Sequence, residues 1–243
     1  MAAFTCDITL VPAELKAAGP AGKTVIAVDV LRASTTIVRS LARGAHKVTP
    51  FTEPDEVFAA ATAYTGGTAL MCGERHMVRI PGFDLGNSPA AYYAERVRGR
   101  TLLLTTSNGT RIFAIAAEAA AVFTGSFVNM DAAAQAAANG DTDILIACAG
   151  TDGRMSLEDT LCAAMLMRRI TAAGRHIPAC TDSAAAAGIL YDSLAHDLYG
   201  AVARSAHGRR LIQAGFEHDV QDACSVNDEV CVPVMKGDSI YLL

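Results

Sequence analysis

Strand-length apolar runs at residues 25–30, 47–51, 69–72, 101–105, 121–127 and 143–149 are each followed by a segment with helical spacing, at 35–41, 54–63, 89–97, 111–119, 131–139 and 157–172. Runs that are apolar at consecutive positions belong to strands buried on both faces. The alternation therefore predicts an α/β fold, a largely parallel sheet covered by helices. Beyond Gly174 the rhythm changes: 183–203 reads as one long helix, 209–214 as a short one, and 232–243 as a terminal strand or extension around Lys236-Gly237-Asp238. No linker rich in Pro, Ser or Gly divides the chain. Residues 1–243 are expected to form one compact unit, in which two intimate α/β lobes, roughly 1–100 and 101–243, share a ligand cleft. In such sheets ligands bind beyond the carboxyl ends of the strands.

The polar residues that interrupt the apolar pattern gather at those strand ends. After the apolar 102–104, Thr105-Thr106-Ser107-Asn108-Gly109-Thr110-Arg111 offers hydroxyls, turn N–H groups and a guanidinium ahead of an alanine-rich helix. That arrangement suits an anion, because a helix start is electropositive and Asn-Gly permits unusual backbone angles. Arg111 adds a planar fork for phosphate or sulfonate oxygens. A second loop, Val28-Asp29-Val30-Leu31-Arg32-Ala33-Ser34-Thr35-Thr36, repeats the theme with Arg32 and three hydroxyls. Two such loops imply a ligand with two anionic ends, or one anion held from two sides. Taken singly, each loop is also what helix capping and an ordinary turn require.

A third loop, Cys148-Ala149-Gly150-Thr151-Asp152-Gly153-Arg154-Met155-Ser156-Leu157-Glu158-Asp159, places Ser156 as a helix N-cap and two acids in the first turn. Acids there complement the helix dipole. Combined with Asp29, which ends an apolar strand, Glu158 and Asp159 become candidates for a hard-cation site. Magnesium takes few carboxylates, several waters and phosphate oxygens. Glu74 in Gly73-Glu74-Arg75 and Asp84 in Gly82-Phe83-Asp84-Leu85-Gly86-Asn87-Ser88-Pro89 are further candidate ligands. In the latter segment Ser88 is placed to cap a helix that has Pro89 at its first position, and Asn87 can orient a ligand.

Composition narrows the class. Half of the residues are apolar (51%), but much of that is alanine, and no apolar run is long enough to cross a bilayer. The first residues lack a basic stretch followed by an apolar core, so a secretory signal is not expected. A net charge of −5 without a Lys/Arg run argues against a nucleic-acid surface. The seven cysteines, at 6, 72, 148, 162, 180, 224 and 231, are odd in number and contain no C-x-x-C pair. They read as buried, reduced thiols of a cytoplasmic protein. The scattered histidines offer no close pair for zinc.

Taken in order across roughly residues 25–160, the segments Val28 to Thr36, Gly73-Glu74-Arg75, Gly82 to Pro89, Thr105 to Arg111 and Ala149-Gly150-Thr151 with Ser156-Leu157-Glu158-Asp159 resemble the 2-phosphosulfolactate phosphatase family. Weaker likeness continues toward Val232-Pro233. Ser34 and Ser107 stand where the family pattern leads us to expect threonine, and His76-Met77 where we expect smaller residues. The resemblance implies a magnesium-dependent phosphatase that converts 2-phosphosulfolactate to 3-sulfolactate and phosphate, a step that leads to coenzyme M in methanogens. Such a substrate carries a phosphate, a carboxylate and a sulfonate, which would account for several anion-binding loops.

The leading expectation is thus metal-assisted phosphate-monoester hydrolysis, with Asp29, Arg32 and Glu158 catalytic. Mg2+ would be held by Asp29, Glu158 and Asp159, with Glu74 and Asp84 as additional ligands. The substrate would be gripped by Ser34, Thr35 and Thr36, by Arg75, Asn87 and Ser88, and by Thr106, Ser107, Asn108, Gly109, Thr110 and Arg111. Asp29 could serve as ligand, base or nucleophile. Leu31 at the second position after it departs from the D-x-D pair of aspartyl-phosphate enzymes, which favours attack by water. Two alternatives stand beside this. Cys148 and Arg154 have the C-x-x-x-x-x-R spacing of a cysteine-dependent phosphatase. The same loops would also serve a non-enzymatic binding protein for an anionic metabolite. A homodimer would suit an alanine-rich α/β enzyme.

Overall fold

A computed structural model describes residues 4–179 and 181–243, so Met1 to Ala3 and Cys180 lie outside the described residues. Among the described residues eleven strands form one sheet: β1 (Phe4–Thr9), β2 (Thr24–Val28), β3 (Lys47–Phe51), β4 (Ala69–Arg75), β5 (Val78–Arg79), β6 (Thr101–Thr105), β7 (Ala121–Gly125), β8 (Ile144–Cys148), β9 (His176–Pro178), β10 (Pro233–Lys236) and β11 (Ser239–Leu242). Their order is β5-β4-β6-β3-β11-β10-β7-β2-β8-β1-β9. The helices are α1 (Pro12–Ala18), α2 (Ala33–Ala42), α3 (Pro54–Ala61), α4 (Ala94–Val97), α5 (Thr110–Ile115), α6 (Met130–Ala138), α7 (Leu157–Ala172), α8 (Asp182–Leu194), α9 (Leu198–Arg204), α10 (Ala206–Gln213) and α11 (Glu217–Ala223). The expected α/β fold, a mostly parallel sheet flanked by helices, is what the chain adopts.

Within the sheet, β4-β6-β3 form one parallel block and β7-β2-β8-β1-β9 another. The hairpin β10-β11 lies between them, antiparallel to β7 on one side and to β3 on the other. Three antiparallel junctions separate β3 from β7, so the two blocks run in opposite senses. Opposed blocks can aim their carboxyl ends at a shared cleft. The smaller block is one stretch of chain, 47–105, inserted between β2 and β7. The chain thus changes block twice, and a single cut near residue 100 does not separate them.

The central strands are buried on both faces, as their unbroken apolar runs require. On β8, Ile144, Ile146 and Cys148 enter one core with α6 and α7, whereas Leu145 and Ala147 enter the core on the other face with α1 and α2. A smaller cluster of Val57, Ile80, Phe83 and Leu103 seats α3 on the second block.

The segment expected as one helix over 183–203 is broken into α8, a 3-10 turn at Ala195–Asp197, and α9. Asp197 causes the break, because its carboxylate accepts the Gly200 N–H (2.9 Å) and starts a new helix. Ser205 repeats the device, accepting from Gly208 N–H (3.0 Å) to start α10. The 89–97 segment is similarly divided around Tyr92, whose buried ring anchors the chain and whose hydroxyl donates to the Gly86 carbonyl (2.6 Å). Strands β1 and β9, and helices α1 and α11, lie outside the sequence expectations. The terminal segment is a hairpin rather than a single strand.

All described cysteines are free; Cys6, Cys72, Cys148 and Cys162 are buried. Among the described residues no helix is long and apolar enough to cross a membrane.

Candidate active site

The carboxyl ends of β2 and β8 from one block, and of β4 and β6 from the other, border a polar cleft of about 520 Å³ including its open mouth. That size suits a small molecule. Of the expected residues, Asp29, Arg32, Glu74, Asn87, Thr106, Ser107 and Asn108 line it. They are joined by Leu31, His76, Met77, Thr151, Asp152, His207 and Arg210.

Asp29 sits in the first turn beyond β2, held by its own loop. Its backbone N–H donates to Ser34 Oγ (2.8 Å), and its Oδ1 accepts the Ala33 N–H (3.2 Å). The loop after β6 presses against the same carboxylate. A Cβ on Gly109 would stand 2.4 Å from Asp29 Oδ2, so only glycine permits this approach. Burial is the main reason that the Asp29 carboxyl is pushed up to about 7. The charges of Glu74 and Glu158 raise it further, while the Ala33 N–H and Arg32 oppose them.

Glu74 ties the blocks' loops together. Its two oxygens accept the N–H groups of Met77 (2.7 Å) and Ser107 (2.9 Å). The former bond fixes a turn in which His76 (φ 53°) and Met77 (φ 69°) both adopt the left-handed backbone that non-glycine residues disfavour. Arg32 is almost fully buried. Its Nη1 bonds Asp219 of α11 at 2.7 Å and its plane lies 4.5 Å from the Phe216 ring. Asn87 contributes a buried Oδ1 with no partner among the described residues.

Several residues expected to grip substrate hold the scaffold instead. Ser34 Oγ donates to the Ala27 carbonyl (3.2 Å) as well as accepting from Asp29. Thr35 donates to Val30 O (2.9 Å) and shares a bond with Ser126, and Thr36 donates to Asn87 O (2.9 Å). Thr110 exchanges bonds with Thr106 across one helical turn. Ser88 occupies the N-cap position but makes no capping bond; its hydroxyl donates to Asp219 Oδ1 (2.7 Å). Arg75 turns to the Thr52 carbonyl and to Thr105 Oγ1, away from the cleft lining. Arg111 is exposed and borders a separate depression with Pro12 and Gly153. The reason is shared: a strand-end loop has its own N–H and C=O groups to satisfy, and short hydroxyls do this first.

The acidic candidates also separate. Asp159 lies behind the cleft, its two oxygens accepting the N–H groups of Val30 (2.8 Å) and Gly150 (3.0 Å). It thereby fastens the loops after β2 and β8 to α7. Glu158 faces an adjoining cavity with Ser156, Ser205 and His207, and its Oε2 is buried without a partner among the described residues. Burial pushes both carboxyls up, and for Asp159 the charges of Asp29 and Glu158 add to it. Asp84 is exposed, bonded to the Met71 N–H (2.9 Å), and lines no part of the cleft.

Among the described residues no three His, Cys, Asp or Glu side chains form a group able to hold a metal unaided. The donors that do border the cleft, Asp29 and Glu74, fit a smaller role. Magnesium is commonly held by one or two carboxylates, with waters and substrate phosphate completing its shell. Each oxygen that accepts one N–H retains a second lone pair for that purpose.

Cys148, the nucleophile of the cysteine-dependent alternative, is buried at the end of β8 and does not border the cleft. Burial, reinforced by the Asp159 charge, pushes its thiol well above the ordinary value. A nucleophilic cysteine requires the opposite shift. Arg154 is exposed and does not border the cleft. This constellation is therefore not a phosphate-binding cysteine loop.

His207 and Arg210 were invisible to motif reading. They stand three residues apart on one face of α10, and only the Ser205 cap and the helix's amphipathic spacing hint at their placement. Arg210 reaches Asp152 (3.3 Å), whose N–H donates to Asn108 Oδ1 (3.3 Å). Burial, then the charges of Arg210 and Arg32, lower the His207 value to about 4.

Comparison with known proteins places the chain in a family. The family described as 2-phosphosulpholactate phosphatase matches residues 9–238. A protein of Symbiobacterium thermophilum named probable 2-phosphosulfolactate phosphatase is 36% identical over 223 residues, covering 92% of this chain and 95% of its own. Proteins with the same name from Caldanaerobacter subterraneus (34% identical, 88% of each chain) and Thermotoga petrophila (37% identical, 85% of this chain and 86% of its own) are similar to it as well. With a match that runs from β1 to the β10–β11 hairpin, the chain belongs to the 2-phosphosulpholactate phosphatase family.

Proposed function

We propose that this protein hydrolyses 2-phosphosulfolactate to 3-sulfolactate and phosphate with the help of Mg2+, in the cytoplasm. The observation that carries the reading is the convergence of Asp29, Glu74, Asn87 and the Thr106-Ser107-Asn108 turn on one small polar cleft, in a chain of this family. Asp29 and Glu74 would hold the metal, which when bound offsets phosphoryl charge and lowers the pKa of water. Thr106, Ser107 and Asn108 present hydroxyl and amide donors to substrate oxygens. Asn87 Oδ1 would accept a hydrogen bond from a bound water, satisfying an otherwise orphaned buried acceptor. Arg32 has N–H groups beyond its Asp219 bond with which to offset charge on the departing alkoxide. The acids argue against a simple anion trap, which gains nothing from buried carboxylates unless a cation bridges them to the ligand.

The direct test is phosphate release from 2-phosphosulfolactate by the purified protein. Turnover is expected with Mg2+, should vanish in EDTA, and should return with excess Mg2+. Undiminished turnover in EDTA would remove the metal from the reading, and no turnover under any condition would remove the activity.

A second expectation concerns stability without metal. The folded value of Asp29, about 7, lies above its ordinary 3.8, so between those pH values the native state retains a proton that the unfolded chain releases. Stability should therefore fall as pH rises from about 4 to about 7, and then level off. Asp29→Asn should flatten that fall. Added Mg2+, which competes with the proton, should raise the melting temperature more at pH 8 than at pH 5. Identical melting profiles for wild type and Asp29→Asn, with and without Mg2+, would count against both the buried charge and the metal.

A further inference from the structure

We propose that Arg210 recognises the sulfonate end of the substrate, and so sets a preference for the sulfonated ester over plain 2-phospholactate. This rests on the phosphatase reading. An anion carrying three acidic groups must find positive charge in a cleft whose own wall includes Asp29, Glu74 and Asp152. The described arginines bordering that cleft are Arg32 and Arg210. Arg32 is buried, paired with the equally buried Asp219 and stacked on Phe216, so much of its charge is already matched. The other arginines that the motifs single out point elsewhere, Arg75 toward Thr52 and Thr105, Arg111 into its separate depression.

Arg210 differs in each respect. It stands at the mouth, 44% exposed, and among the described residues it pairs with Asp152, at 3.3 Å and itself 66% exposed. An ion pair that open contributes little, and a bound anion can replace or share it. Asp29 and Glu74 are buried while Arg210 and Asp152 are at the surface, so a substrate with its phosphate seated deep extends its other end toward α10. A guanidinium is weakly hydrated and presents paired donors, which suits the three oxygens of a sulfonate better than a compact ammonium does. The Ser205 cap and the close seat of Gly208, where a Cβ would meet the Val202 carbonyl at 2.1 Å, fix the helix that carries Arg210.

The test is the ratio of kcat/KM for 2-phosphosulfolactate to that for 2-phospholactate in wild type, Arg210→Gln and Arg210→Lys. Arg210 is exposed, so neither substitution should disturb folding, which a melting curve checks. Arg210→Gln should lower kcat/KM for the sulfonated ester by about ten- to a hundredfold and change that for phospholactate by less than about threefold. Arg210→Lys, which keeps the charge and loses the fork, should recover part of the ratio. Equal losses on both esters, or an unchanged ratio, would overturn the assignment. If wild type hydrolyses neither ester, the phosphatase reading fails on its own account, and calorimetric binding of sulfolactate against lactate decides the role of Arg210. Sulfolactate binding that Arg210→Gln abolishes supports the assignment, and binding that is absent or unaltered by the substitution defeats it.

Discussion

Asp29→Asn should lower Mg2+-dependent turnover of 2-phosphosulfolactate by on the order of a hundredfold or more while the protein stays folded. Asparagine has the same shape and can still accept the Ala33 N–H at Oδ1, so the turn beyond β2 keeps its geometry. What disappears is the negative charge at the base of the cleft. Gly109 lies so close to Asp29 Oδ2 that an acidic side chain placed at 109 could not restore the charge without a clash. The substitution also removes a buried carboxylate crowded by Glu74 and Glu158, so the variant should be at least as stable as wild type at pH 8. A loss of activity accompanied by gain or retention of stability separates a functional residue from a structural one. Near-normal turnover at limiting Mg2+ would strip Asp29 of its role.

The contrast between Asp29 and its neighbours shows what the sequence could reveal. Strands were legible because residues such as Ile144, Leu145 and Ile146 are apolar at consecutive positions in a run too short for a helix, as a strand covered on both faces requires. The loops were legible as unusual because they break those runs with hydroxyls, glycines and arginines. Whether a given hydroxyl faced ligand or backbone was not legible. Thr35 and Thr106 have the same chemistry, yet Thr35 Oγ1 donates to Val30 O, whereas Thr106 Oγ1 accepts the Thr110 N–H and its residue borders the cleft. That difference is set by the direction of the chain at each loop, a tertiary property. Asp159 and Asp29 divide in the same way: one carboxylate completes the backbone bonds of Val30 and Gly150, the other opens into the cleft. Arg210 comes from a helix with no motif at all, brought to the mouth by breaks at Asp197 and Ser205 that a helical reading of 183–203 passes over.

Arg32 joins the cleft to the C-terminal helices, and its replacement should have the largest effect on stability. The Arg32–Asp219 pair is buried on both sides, with side chains 2% and 4% exposed. A buried pair is weak evidence of net stabilisation, since burying both charges is costly, but removing one partner leaves the other charge uncompensated. Arg32→Met should therefore cost about 3–5 kcal/mol in urea unfolding. Asp219 would retain only the Ser88 hydroxyl, and the contact with Phe216 would lose its cationic component. Helix α11 should remain docked, because Arg39 of α2 independently bonds Asp222 (2.6 Å) and Glu229 (2.8 Å). Arg32→Lys should fall between, keeping a charge for Asp219 but not the planar contact with Phe216. The double variant Arg32→Met with Asp219→Leu removes both charges and should regain much of the stability, giving a large favourable coupling in the cycle. Activity should not return with it, since Arg32 also faces the cleft. A single Arg32→Met variant that unfolds within about 1 kcal/mol of wild type would mean that Asp219 is solvated after all, a cost typical of exposed pairs. Arg32 would then be free to act on substrate alone.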